Sequence, residues 1–329
     1  MQRSRIVGTG TYLPEKVVTN DDMVKLYGIE TSDAWIRERT GIGKRRLAAP
    51  GEATSDMAAA ASRKALEMAG IKPEDLDMIV CGTVTPDMPF PAAAVFVQAK
   101  IGATKAACFD VSAACAGSLF ALAIADSFVR NGTAKKLLVI GAELLTRISD
   151  WKDRATCVLF GDAAGAMVVV PETRPDRGLL STHLYTDGTQ TNILNIPGGG
   201  SLKPFSPEVW EKRDHLIKMN GREVYKTAVR VLEAASREAL QHNGYQPKDV
   251  NYVIAHQANL RILDAVMKRL EIPLEKCEVN IDQVGNTSSA SVPLTLDQAN
   301  RAGKLKDGDL VLMMAIGGGM AWGSALMRW

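Results

Sequence analysis

The sequence has no excess of charge of either sign, since 39 Lys and Arg face 37 Asp and Glu and leave a formal net charge of +2. A general nucleic-acid or membrane-surface binder is excluded, and an acidic partner has to be recognised by a local basic patch. Cysteine is scarce and odd in number. Cys81, Cys108, Cys115, Cys157 and Cys277 show neither CxxC spacing nor a His-rich neighbourhood. That argues against zinc and against a disulfide framework, and suits a reducing cytoplasm. The N-terminus lacks an apolar run of signal-peptide length, so secretion by that route is not expected. The uncharged run 310–327 is broken by Gly317, Gly318, Gly319 and Gly323. It reads as two buried strands around a glycine turn rather than a membrane span. Gly8-Thr9-Gly10 lacks the third glycine of a dinucleotide fingerprint and leads into Tyr12-Leu13-Pro14 rather than a helix, which speaks against nucleotide binding there.

What is present is the composition of an ordinary globular protein, 46% hydrophobic and 23% charged over 329 residues, or roughly two domains' worth of chain. Apolar strand-like runs at 78–82, 107–111, 136–141 and 166–170 alternate with helical stretches near 55–68 and 118–130, the pattern of an α/β fold. The chain also repeats itself. Gly70, Pro73, Asp75 and Ile79 each lie 174 residues before Gly244, Pro247, Asp249 and Val253, and the same offset carries 136–141 onto 310–315. In both copies a helix stops at glycine, proline restarts the chain and an apolar strand follows. Two copies of one βαβ-rich half are expected, although helix-Gly-x-x-Pro-strand is also a common connection.

Three side-chain sites and one glycine run offer chemistry. Cys115 stands between a strand and a helix among Ala113, Ala114, Ala116 and Gly117, which leave room for a substrate. A helix start favours an anion, so the thiol is expected to have a lowered pKa and to be a candidate nucleophile. Taken alone, a cysteine among small apolar residues is more often buried packing. His256 lies where an apolar strand gives way to a helix, the strand-end position at which α/β folds place ligands, with a helix cap or core histidine as the alternative. Gly285-Asn286-Thr287-Ser288-Ser289-Ala290-Ser291-Val292-Pro293 also reads as a stretch between a strand and a helix, where capping and turn formation suffice as a local explanation. Gly317-Gly318-Gly319 lets backbone N–H groups approach a ligand and is compatible with both a hairpin turn and an oxyanion hole.

Read in order, Ala114-Cys115-Ala116-Gly117, His256-Gln257-Ala258-Asn259-Leu260-Arg261, the Asn286 stretch and a closing Gly-Gly-Gly-x-x-Trp-Gly-Ser ending at Ser324 resemble the β-ketoacyl-acyl-carrier-protein synthase III family of thiolase-like condensing enzymes. The resemblance runs essentially from end to end. It implies a duplicated five-layer αβαβα fold, with residues 1–171 carrying the nucleophile and 172–329 carrying the histidine and asparagine. It also implies a cytoplasmic homodimer that binds neither nucleic acid nor membrane. Cys115 would take an acyl group from acyl-CoA and pass it to the carbanion formed by decarboxylating malonyl on acyl-carrier protein, initiating fatty acid synthesis without metal or cofactor. His256 and Asn286 would hold the enolate-like oxygen, and the N–H groups of Cys115 and Gly318 the tetrahedral oxyanion.

By the same resemblance Trp35 and Arg154 would stack the CoA adenine and Arg39 would contact phosphate, residues otherwise read as surface. Phe90 would reach across the dimer into the partner's acyl pocket, where Ile316 is also placed, and Gln257 and Arg261 would meet the carrier protein, with a solvated basic face as the alternative for Arg261. Two positions depart from the family. Ile316 replaces a phenylalanine that packs on the histidine and asparagine, and Tyr225 replaces another aromatic near the CoA channel. Ile316 keeps open a natural-product ketosynthase or acyltransferase with a non-standard second substrate. A biosynthetic thiolase is disfavoured by the absence of a second active-site cysteine after the triple glycine. A catalytically silent carrier-binding partner is disfavoured because all three reactive positions are filled.

Overall fold

The strand Met78–Gly82 is buried along its whole length because it has a parallel neighbour on each side, Ala107–Val111 and Leu137–Glu143, and helices over both faces. Strands covered in this way read as continuous apolar runs, which is why they were visible in the sequence. In this computed structural model, which describes residues 2–329, they belong to a five-stranded sheet. Its order is Arg3–Tyr12, Ala163–Glu172, Leu137–Glu143, Met78–Gly82, Ala107–Val111. A second sheet of four strands runs Gly178–Thr186, Ala321–Arg328, Leu310–Gly317, Tyr252–Ala255.

The repeat is a repeat of register. Met78 pairs with Leu137 in the first sheet and Tyr252 with Val311 in the second, each residue 174 positions from its counterpart, and the next three pairs keep that offset. Helix Thr54–Ala69 stops at Gly70, with φ 63°, and helix Gly221–His242 is followed by Gly244, with φ 73°. Helices Gly117–Arg130 and Ser291–Arg301 begin 174 residues apart. Each follows a one-turn segment whose first residue is left-handed, Ala114 at φ 46° and Ser288 at φ 49°. The duplication is incomplete at one edge. Where the first sheet pairs Ile79 with Cys108 along a full strand, the second keeps a single bridge, Val253 to Cys277. The stretch before Asn286 is accordingly a helical turn, Ile281–Val284, and not the expected strand.

Three apolar clusters separate five layers. One joins both sheets across the two central helices, with Leu119, Leu122, Val292 and Leu296 at its heart. The others seal Thr54–Ala69 with Ala93–Ile101 onto the first sheet, and Gly221–His242 with Leu260–Leu270 onto the second. Gly8 and Gly10 are explained here. A Cβ on either would stand 2.2 Å from a backbone oxygen of the helix above, Ala65 or Ala61, so the pair serves close strand–helix packing. The uncharged run 310–327 forms the antiparallel pair Leu310–Gly317 and Ala321–Arg328. Among the described residues no helix is long and apolar enough to cross a membrane.

Candidate active site

Cys115 sits in the turn between strand Ala107–Val111 and helix Gly117–Arg130, almost wholly buried, and lines two cavities at once. One, of about 630 Å³, is lined by apolar side chains that include Val84, Leu145, Ile148, Phe160 and Ile217. The other, of about 620 Å³, holds His256, Asn286 and Ile316 with Cys115, and extends to Trp35, Arg39 and Arg261. Gly317 closes over the turn so tightly that a Cβ there would fall 2.4 Å from the Cys115 nitrogen. The end of the second sheet thus rests on the nucleophile of the first half.

The expected lowering of the Cys115 pKa does not occur. Burial pushes the thiol up to about 12, the Glu143 carboxylate pushes in the same direction, and a hydrogen bond from Ser288 opposes them. Desolvation of a thiolate in an apolar pocket outweighs the pull of a helix start.

His256 follows the last residue of strand Tyr252–Ala255, and its backbone N–H donates to Met314 O at 2.8 Å. Both ring nitrogens are buried without a protein partner, and burial draws the imidazole down to about 3. It is therefore neutral, with one N–H to donate. Asn286 is fixed by its backbone, whose N–H donates to Leu159 O at 2.8 Å and whose O accepts from Gly161 N at 3.0 Å. Its Oδ1 accepts from Ser288 N at 2.9 Å, so the amide NH2 is the group left for a ligand.

Two further residues here carried no signal in the sequence. Glu143, at the end of a buried strand, is fully buried and accepts from Thr85 Oγ1 at 2.6 Å, Ser288 Oγ at 3.0 Å and Val84 N at 3.2 Å. Burial still raises its pKa to about 7, against those hydrogen bonds. Ser288 looked like turn chemistry, and only the fold brings it to Cys115.

At the mouth of the second cavity the guanidiniums of Arg39 and Arg154 lie 4.9 and 4.8 Å from the Trp35 ring centre. Asn259 caps helix Leu260–Leu270 and donates from Nδ2 to Arg39 O at 3.0 Å, tying the two elements at the opening. Tyr225, Arg222 and Lys226 line the same cavity, the last two unmarked by any motif. Two expectations change, those for Ile316 and Gln257. Ile316 lies on the side of His256 and not in the apolar cavity, because it is the last residue but one of a strand beside that of the histidine. Gln257 faces inward, its Nε2 donating to Ala255 O and Glu278 O at 3.0 Å each, so it is consumed by the fold and does not meet a carrier protein. Phe90 lines neither cavity of its own chain and is 83% exposed. Among the described residues no group of three or more His, Cys, Asp or Glu is placed to hold a metal.

A thiol, an imidazole and an amide brought together where two copies of one α/β half meet define a thiolase-like condensing enzyme. Similarity to known proteins agrees. The family described as 3-oxoacyl-[acyl-carrier-protein] synthase III matches residues 109–188, and its C-terminal part matches 240–329. The β-ketoacyl-[acyl-carrier-protein] synthase III of Caldanaerobacter subterraneus subsp. tengcongensis is 51% identical, covering 98% of this chain and 97% of that protein. The crystal structure of 3-oxoacyl-[acyl-carrier-protein] synthase III from Aquifex aeolicus superposes with a TM-score of 0.92 at 46% identity, covering 99% and 100% of the two chains. The priming β-ketosynthase of the R1128 polyketide pathway superposes at 0.91 with 37% identity, covering 99% and 96%. The chain belongs to the 3-oxoacyl-[acyl-carrier-protein] synthase III family, acyl-transferring condensing enzymes that initiate fatty acid synthesis.

Proposed function

We propose that Cys115 accepts an acyl group from acyl-CoA and surrenders it to the carbanion released by decarboxylation of malonyl-acyl-carrier protein. The observation that carries this reading is the position of Cys115, which opens on one side to an apolar cavity suited to an acyl chain. On the other it opens to a channel with an indole and two guanidiniums at its mouth. Neutral His256 and the free amide of Asn286 are donors suited to an oxygen that gains charge, and the N–H groups of Cys115 and Gly318 serve the tetrahedral oxyanion. CoA supplies the activated acyl group, so the chemistry calls for no further cofactor.

Replacing His256 or Asn286 by alanine is expected to leave acylation of Cys115 intact while slowing malonyl-dependent discharge by about 10²–10³. Intact-protein mass spectrometry reads the first step and release of labelled CO2 the second. An acyl-enzyme that discharges at the wild-type rate in both variants removes these residues from the reaction. Trp35→Ala is expected to raise KM for acyl-CoA about 5- to 100-fold with little change in kcat, the worth of one base–aromatic stack. Unchanged KM in steady-state assays places the adenine elsewhere.

We further propose a cytoplasmic homodimer. Strand Ala107–Val111 has a neighbour on one side only, and the exposed Phe90 supports a role completed by a second subunit. Exposed Arg261 at the channel mouth fits an acidic carrier protein, whereas Lys268 and Arg269 are engaged with Asp264 and Glu233. A second reading, favoured by the aliphatic Ile316 beside His256, keeps Cys115 and changes the acceptor. C–C bond formation without CO2 release selects it.

A further inference from the structure

The site leaves one question open in its own chemistry, namely where the Cys115 proton goes. His256 is neutral and held far from the protonation range of a useful base by its burial. Near the thiol lies a buried carboxylate, Glu143, with the Ser288 hydroxyl bonded to it and facing the same cavity as Cys115. Ser288 Oγ donates to Glu143 Oε1 at 3.0 Å, and the one-turn segments Ala114–Ala116 and Ser288–Ala290 pack together with Cys115 and Ser288 on the wall of the same apolar cavity. While the thiol is protonated the Ser288 hydrogen goes to the carboxylate and its oxygen is left to accept; once the proton has moved, the same hydroxyl donates to the thiolate, which is the bond that opposes the rise in the Cys115 pKa.

We infer that Ser288 relays the Cys115 proton to Glu143 as the thiol attacks the acyl thioester, so that Ser288 is a catalytic residue and Glu143 the positioning residue that stores the proton. This rests on the acyl-CoA reading above. As the sulfur–carbon bond forms, the Sγ proton passes to Ser288 Oγ and the serine proton passes to Glu143 Oε1. The carbonyl π pair moves onto oxygen, which the backbone N–H groups of Cys115 and Gly318 receive. Collapse breaks the bond to the CoA sulfur, which leaves as thiolate and takes a proton from solvent. In the second half-reaction the carbanion displaces Cys115 as thiolate, and Glu143 returns its proton through Ser288. At no point do sulfur and carboxylate carry negative charge together, which their mutual repulsion in a buried site would penalise.

The surroundings of Glu143 suit a store of this kind. The titratable groups facing it are Cys115 from the nucleophile turn and Cys81 from the neighbouring strand. The remaining contacts are the Thr83 and Thr85 hydroxyls, the Val84 N–H and Ser288, and among the described residues no Lys, Arg or His forms an ion pair with the carboxylate. Its value of about 7 places it between the two protonation states at neutral pH.

The test is the pH dependence of Cys115 alkylation by iodoacetamide, beside single-turnover acylation by acyl-CoA, in wild type, Glu143→Gln and Ser288→Ala. Alanine fits at 288, because Ala114 holds the same left-handed conformation at the equivalent position of the other half. Wild-type rates are expected to rise through about pH 7 and then level. Both variants are expected to lose that step, climbing about tenfold per pH unit instead and acylating about 10²-fold or more slowly at pH 7. Glu143→Asp is expected to restore the step in part. Rates that fall equally at every pH, or profiles that match wild type, overturn the relay and leave Glu143 a structural residue. If wild type alkylates with the step near pH 7 but no acyl-CoA acylates it, the relay stands and the acyl-CoA reading fails.

Discussion

Cys115→Ala is expected to abolish acyl-enzyme formation and lower the overall condensation rate by at least about 10⁴, with the fold intact. The size follows from the chemistry, since removing a nucleophile removes the covalent route altogether and leaves only binding and the oxyanion donors. The selectivity follows from the structure. All five cysteines are free, but Cys81, Cys108, Cys157 and Cys277 line neither cavity. Intact mass after incubation with acyl-CoA is therefore expected to rise by one acyl group in wild type and by none in the variant. The deletion itself is small, one sulfur at a site already open to a cavity, so thermal unfolding is expected to stay close to wild type. Acylation persisting in the alanine variant relocates the nucleophile and takes the mechanism with it.

Gly141→Ala is expected to be the most damaging single methyl addition near the site. Gly141 lies inside the fully buried strand Leu137–Glu143, and a Cβ there would stand 2.1 Å from Ser289 O and 2.7 Å from Ser289 C. Those are backbone atoms of the Ser288–Ala290 turn, so no side-chain rotation relieves the overlap. Overpacking of this kind costs about 1–3 kcal/mol and sometimes more, and the upper end is expected here because strand and turn are both held by their own hydrogen bonds. Activity is expected to fall further than stability, since the displaced turn carries Ser288 and fixes the Asn286 amide. Chemical denaturation beside single-turnover acylation measures both. Gly200→Ala, with open space around its Cβ position and no left-handed φ, serves as the control and is expected to change neither. A stable, active Gly141→Ala protein would mean that the turn is far more compliant than its packing indicates.

Much of this was legible in the residues. Strands buried on two faces write themselves as unbroken apolar runs, and helix stops at Gly70 and Gly244 made the duplication visible. His256 was found because strand ends are marked by the switch from apolar to polar residues. The failures share a cause, which is that spacing along the chain does not say which way a side chain faces. Gln257 beside His256 points into the protein, and Ile316, near the end of its strand, faces the histidine's side of the site. The lowered Cys115 pKa expected from sequence does not hold, because a helix start is visible in sequence while the desolvation and the buried carboxylate come from segments far away. Glu143 reads as the polar end of a strand until Thr85 and Ser288 close around it.

The paired left-handed turns at Ala114 and Ser288 have a consequence for how the protein handles charge. They bring the N-terminal ends of both central helices together, Gly117 lying against Ser289, so the positive ends of two macrodipoles face one region. Their fields add where neither half alone would supply more than one. At rest that field has nothing to hold, because the thiol keeps its proton. It acts when a thioester arrives whose carbonyl oxygen can take the charge. Duplication thus separates storage from use, with a nucleophile kept dormant by burial and a focus of positive potential kept ready for an anion that exists only during reaction.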